Sequence, residues 1–163
     1  MRKMPFPSAL PEPDRLDPAS IPSLRWGVIG PGWIAERFVM AVQRFTRQKI
    51  MGVESRDAAR ASEFARRFAI PHAFDGGMSD HSEIDAVYIA TPHPFHFDMA
   101  RRALESGKPV LVEKPICVSA VELEALIVLA RKHDVFLMEA TGQIFCPNSR
   151  SCESYCGIEQ SVK

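Results

Sequence analysis

From Leu24 onward the apolar positions of this chain switch repeatedly between two spacings. Short, uninterrupted apolar runs alternate with longer stretches in which apolar residues recur every three or four positions. The run "RWGVIG" predicts a short buried strand, and Ile34, Phe38, Ala41, Val42 and Phe45 follow at helical spacing. "IMGVES" predicts a second strand. Asp57 is placed to cap a helix in which Ala61, Phe64, Ala65 and Phe68 share a face, and Pro71 ends it before the strand-like "HAF". "IDAVYIA" is a strong strand. Phe95 to Ser106 predicts a helix carrying Met99, Ala103 and Leu104 on one stripe, with Gly107 as its left-handed terminator. "PVLVE" is the next strand. Ser119 and Glu122 then form an S-x-x-E capping box ahead of Leu123, Leu126, Ile127 and Ala130, and "VFLMEA" closes the series.

Strands alternating with helices at this spacing imply an α/β fold: a doubly wound parallel sheet with helices on both faces. That domain is expected over residues 24–141. Ahead of it, residues 1–23 contain six prolines and neither period, so they read as an extended leader. Residues 142–163 carry few large apolar positions and read as an irregular tail.

Composition narrows the function. A chain of 163 residues has room for one ordinary domain. Twenty basic and twenty acidic side chains cancel, so no broad field draws the protein to nucleic acid or anionic lipid, and small ligands are the expected partners. There is no apolar run of membrane-spanning length and no signal-peptide core. Cys117 is remote from Cys146, Cys152 and Cys156, which favours free thiols and a reducing, cytoplasmic setting.

Two stretches carry chemistry. In "GVIGPGWIAERF" a strand, then Gly30-Pro31-Gly32-Trp33-Ile34-Ala35, then a helix reproduce the G-x-G-x-x-G/A arrangement in its required context. Gly30 permits a tight turn, Gly32 lets backbone approach a pyrophosphate, and Ala35 allows close helix-to-strand packing. The helix N-terminus offers free N–H groups to the phosphates. A structural turn, or the related turn of SAM-binding methyltransferases, is the competing reading. At the end of the second strand, Glu54 suits a ribose diol, whereas Ser55 and Arg56 suit a 2′-phosphate. Strand alternation sets Glu54 and Ser55 on opposite faces, so only one can serve.

The second stretch lies at the carboxyl ends of the later strands. Thr91, His93 and His96 in "ATPHPFHF" are candidate contacts to ribose, nicotinamide or substrate, stiffened by Pro92 and Pro94. A structural hydrogen bond is the bland alternative for either histidine, and no carboxylate or cysteine at matching spacing makes them a metal pair. In "VLVEKP", Glu113 and Lys114 emerge beside the same crevice with Pro115 fixing the turn. Lys114 could hold a nicotinamide ribose and a substrate hydroxyl, easing proton movement as hydride transfers. A surface ion pair with Glu113 would be the unremarkable reading.

Taken in order, "GVIGPGWIA", "SRDAARASEFARRFAIPHAF", "IDAVYIATPHPFHFDMARRALESGKPVLVEKP" and "FLMEA" resemble the amino-terminal Rossmann half of the Gfo/Idh/MocA oxidoreductases. Within that family the likeness is to the NADP-linked dihydrodiol and sugar dehydrogenases. The resemblance implies that Gly30, Gly32, Trp33, Ile34 and Ala35 cradle pyrophosphate, that Ser55 and Arg56 favour NADP over NAD, and that Thr91, Pro92, His93 and His96 form the Thr-Pro turn and its histidines. It makes Glu113 a cofactor contact and Lys114 the catalytic-site lysine. The implied activity is oxidation at CH–OH groups of sugars or diols, and the alternative is a non-catalytic dinucleotide-binding or interaction module. Family members continue into a second domain that builds the substrate pocket, so a truncated product with little turnover alone is expected, self-associating through an exposed sheet side. "DGGMSDHSE" is also shorter than the family's usual connection, as if a small helix were missing.

Overall fold

The computed structural model describes residues 20–141, so most of the expected leader and the whole expected tail lie outside the described residues. Residues Ile21–Ala140 form one compact unit. Its elements are β1 (Arg25–Ile29), α1 (Trp33–Phe45), β2 (Lys49–Glu54), α2 (Ala58–Phe68), β3 (His72–Phe74), β4 (Ala86–Ile89), α3 (His96–Glu105), β5 (Val110–Glu113), α4 (Ala120–His133) and β6 (Leu137–Ala140), with 3₁₀ turns at Met78–Asp80 and His93–Phe95.

All strand pairs are parallel and the sheet order is β3-β2-β1-β4-β5-β6. The order reverses between β1 and β4, and a doubly wound sheet binds ligands at such a switch point, outside the carboxyl ends of its strands. Side-chain alternation divides the core in two. Val28, Tyr88 and Leu111 join Val39 of α1 and Phe64 of α2 on one face, while Ile29, Val87, Ile89 and Val112 join Ala103 of α3 and Leu126 of α4 on the other. A strand buried on both sides has no polar face, which is why these runs read as continuously apolar.

Local signals set the element ends. Asp57 accepts hydrogen bonds from the Ala59 and Arg60 amides at the start of α2, and Ser119 accepts one from the Glu122 amide at the start of α4. Gly107 follows α3 with φ +69, the left-handed conformation that releases the chain towards β5. Among the described residues no helix is long and apolar enough to cross a membrane.

Three expectations need correction. The buried stripe of α1 is Ala35, Val39 and Val42, while Phe45 stands 73% exposed; the small Ala35, not the bulky residues, lets this helix approach the sheet. The third main helix begins at His96 and not Phe95, because His93–Phe95 form a 3₁₀ turn containing Pro94. The short connection after β3 does hold a helical turn, Met78–Asp80. Its Met78 is fully buried and fills the hollow left by two glycines in neighbouring strands. A Cβ on Gly27 would meet Met78 Cε at 2.6 Å, and one on Gly52 would meet its Sδ at 3.1 Å.

Met78 is thus a plug between the centre of the sheet and α3. Replacing it with alanine should cost about 2–5 kcal/mol of stability, the range for deleting a large buried side chain. Urea unfolding of the Met78→Ala chain measures this, and a change under about 0.5 kcal/mol would contradict the plug.

Candidate nucleotide-binding site

The loops at the carboxyl ends of the strands enclose a cleft of about 1060 Å³. That volume is at the upper end for small-molecule sites and suits a long ligand. The cleft runs from Ser55 and Arg56 after β2, past the turn Gly30–Gly32, to Thr91 after β4 and Lys114 after β5.

Its centre is the turn into α1. Gly30 has φ +94, and a Cβ there would press within 2.9 Å of the Ala90 carbonyl and the Thr91 amide nitrogen. The tight turn therefore requires glycine for the protein's own packing. Gly32 differs: its φ is −102, an ordinary extended value, and a Cβ there would meet nothing within 4 Å. The space above Gly32 is open cleft. Gly32 is also the N-cap of α1 and brings no side chain to cap it, so the helix presents uncapped amides and its positive dipole end to the cleft. Trp33 stands 74% exposed at the rim, Ile34 also lines the cleft, and Ala35 is buried behind them.

At the β2 end the competition between Glu54 and Ser55 has a structural outcome. Glu54 is only 4% exposed and turns towards α3, where Oε2 accepts the Met78 amide at 2.9 Å and Oε1 lies 3.4 Å from Arg102. Ser55 and Arg56 stay at the rim, with the Arg56 guanidinium 4.5 Å above the Phe95 ring. Arg60, which the sequence reading passed over, also lines the cleft, and its Nη2 comes within 3.5 Å of the Pro31 carbonyl oxygen. A signal for it existed: the first turn of α2 holds no acidic residue, and an arginine there opposes the helix dipole unless an anion lies nearby.

At the other end, the turn carrying Lys114 is held from below. Tyr88 donates to Glu113 Oε1 at 2.6 Å; burial, and then Glu113 as acceptor, push its phenol well above the usual tyrosine range. Glu139 of β6 accepts the Ile116 amide at 2.8 Å. His96 is fully buried, with Nδ1 2.8 Å from the Pro115 carbonyl oxygen and Nε2 2.7 Å from that of Thr91. Of the two readings of His96, this geometry favours the structural hydrogen bond over the cofactor contact that the resemblance implies: His96 ties the two ligand loops together beneath the cleft. Pro92, His93, Glu113 and Lys114 do line it. The Lys114–Pro115 bond is cis. Cys117, just beyond the turn, is pushed up to about 11, chiefly by burial, which disfavours a reactive thiolate.

Among the described residues two buried side-chain oxygens lack a hydrogen-bond partner, Ser79 Oγ and Thr91 Oγ1, and of the two only Thr91 lines the cleft. Buried hydroxyls are seldom left so. With the open space over Gly32 and the uncapped α1, Thr91 makes the residues present a fit for a dinucleotide phosphate and ribose.

The family model for "Oxidoreductase family, NAD-binding Rossmann fold" (GFO_IDH_MocA) matches residues 24–141. The chain belongs to the Gfo/Idh/MocA oxidoreductase family. This family chain is 36% identical over 131 residues to a zebrafish (Danio rerio) trans-1,2-dihydrobenzene-1,2-diol dehydrogenase, covering 78% of this chain and 39% of that protein. The human enzyme of the same name is 35% identical over 136 residues, 81% of this chain and 41% of its own length. Among solved structures, KijD10, a 3-ketoreductase from Actinomadura kijaniata in complex with NADP, superposes with TM-score 0.73 at 30% identity, over 83% of this chain and 44% of that one. The chain thus spans about two fifths of the length of these relatives.

The two glycines separate folding from binding. Gly30→Ala is expected to destabilise by about 1–3 kcal/mol through backbone strain. Gly32→Ala should melt within a few degrees of the parent yet lose about tenfold or more in NADP affinity. Thermal melts and calorimetric titration of both variants check this; equal affinity for Gly32→Ala and parent would deny that the phosphate lies there.

Proposed function

We propose that this chain binds NADP across the carboxyl ends of its strands and serves as the nucleotide-binding part of an oxidoreductase acting on CH–OH groups of sugars or diols. The observation that carries the reading is the division of labour at β2: Glu54 is engaged inward, while Ser55, Arg56 and Arg60 leave hydroxyl and guanidinium groups for a 2′-phosphate. Arginine suits that role because its planar fork matches phosphate oxygens. Support also comes from likeness to the NADP complex of KijD10 and to the diol dehydrogenases.

Along a bound dinucleotide, the amides of α1 would hold the pyrophosphate and the loop carrying Thr91 would border the nicotinamide ribose. A bound nicotinamide would supply the hydride acceptor for oxidation at a carbinol carbon. Lys114 stands exposed at that end, where its ammonium can hold the substrate oxygen and ease the departure of the proton. Tyr88, Glu139 and His96 fix the turn, so the lysine needs little reorganisation. The remaining substrate contacts come from outside residues 24–141.

Calorimetric titration with NADP and NAD tests the reading. NADP should bind at least about tenfold more tightly, with the preference falling to near unity in Arg56→Ala. Lys114→Ala should lose about threefold or less in NADP affinity while abolishing any diol oxidation. Equal affinities for NADP and NAD would overturn the NADP assignment.

A further inference from the structure

Glu54 is a carboxylate where an NADP site least wants one. It ends β2, the strand whose carboxyl end meets the adenosine ribose in this architecture. Glu54 borders the cleft although only 4% of the residue is exposed. A buried anion there acts through a medium less polarisable than water, so it would repel a 2′-phosphate from several ångströms away without touching it.

Two groups answer that charge. The Met78 amide donates to Oε2 at 2.9 Å, which fixes the carboxylate on the α3 side of the sheet. Only the other brings a full positive charge: Arg102 of α3, with Nη2 3.4 Å from Oε1. Arg102 also lines the cleft, and its Nη1 rests against Met99 Sδ at 3.9 Å, which steadies the side chain beside Glu54. Its guanidinium is thus spent on the carboxylate beneath the site, whereas Arg56 lies over Phe95 at the rim.

Resting on the NADP reading above, we infer that Arg102 is a specificity-determining positioning residue: by neutralising Glu54 it keeps the adenosine end of the cleft permissive to a 2′-phosphate. Without Arg102 the carboxylate keeps only the Met78 amide and no opposite charge, NADP is repelled, and NAD, which lacks the extra anion, is little affected. Arg102 thus acts through Glu54 and not by gripping the ligand.

The test is a double-mutant cycle on the full 163-residue chain, with NADP and NAD affinities measured by calorimetry at low salt. Arg102→Met should lower the NADP-to-NAD preference at least about fivefold, mostly by weakening NADP. Arg102→Lys should retain most of it. Adding Glu54→Gln to Arg102→Met should restore the preference to within about twofold of the parent, since removing both charges leaves nothing to neutralise. The loss in Arg102→Met should also shrink as salt is raised.

Should the methionine variant fail to fold by circular dichroism, Arg102→Gln keeps a hydrogen-bond donor without the charge and is expected to show the same loss. An unchanged preference in Arg102→Met or Arg102→Gln overturns the inference alone. So does a double variant as poor as the single one, which would mean that Arg102 touches the phosphate directly. A parent chain that binds neither nucleotide, or prefers NAD, overturns the NADP reading itself.

Discussion

The uncapped amino end of α1 is the feature on which the rest of the site depends. A helix start buried without partners is costly, because its first amides have no acceptors. Here the turn brings glycine to the N-cap, with open space above it, so those amides face the cleft. Every other contact extends the line they begin: the β2 loop on one side, and the β4 and β5 loops on the other. The switch between β1 and β4 fixes the position of this helix end, because the connections leave in opposite directions there.

The loops around it are rigid for different reasons. The turn at Lys114 is held by side chains from β4, β6 and α3, so its shape depends on long-range packing. The β2 end depends on charge: Glu54 is buried and would be a liability without its amide and guanidinium partners. Both arrangements draw on the core. Met78 ties the β2 end to that core, because it fills the sheet's glycine hollow with its side chain and meets Glu54 with its amide.

Most of the fold was legible from spacing alone. The alternation of apolar runs and helical stripes predicted the parallel doubly wound sheet, and Asp57, Ser119 and Gly107 marked element ends that the structure retains. The misreadings have separate causes: apolar spacing draws the stripe of α1 through bulky residues such as Phe45, and the 3₁₀ turn containing Pro94 delays the start of α3. Ala35, which lets α1 approach the sheet, could be read from the glycine motif, whereas Gly27 and Gly52, which make room for Met78, do not stand out in an apolar pattern. In the site, the turn glycines and Lys114 could be read from motif and strand position. For His96 the sequence offers both a cofactor contact and a structural hydrogen bond, because it does not reveal whether an imidazole points out of a loop or beneath it. The pairing of Glu54 with Arg102 joins residues far apart in the chain, and no local spacing announces it.

The placement of the diphosphate against α1 is most directly tested by a ¹⁵N–¹H correlation spectrum of the labelled chain during titration with NADP. The amides of Gly32, Trp33 and Ile34 are expected to shift most at saturation, together with those of Thr91 and Arg56, while α4 and the edge strand β6 stay still. Saturable binding that leaves the amides of Gly32 to Ile34 unmoved would contradict that placement, whatever the affinity.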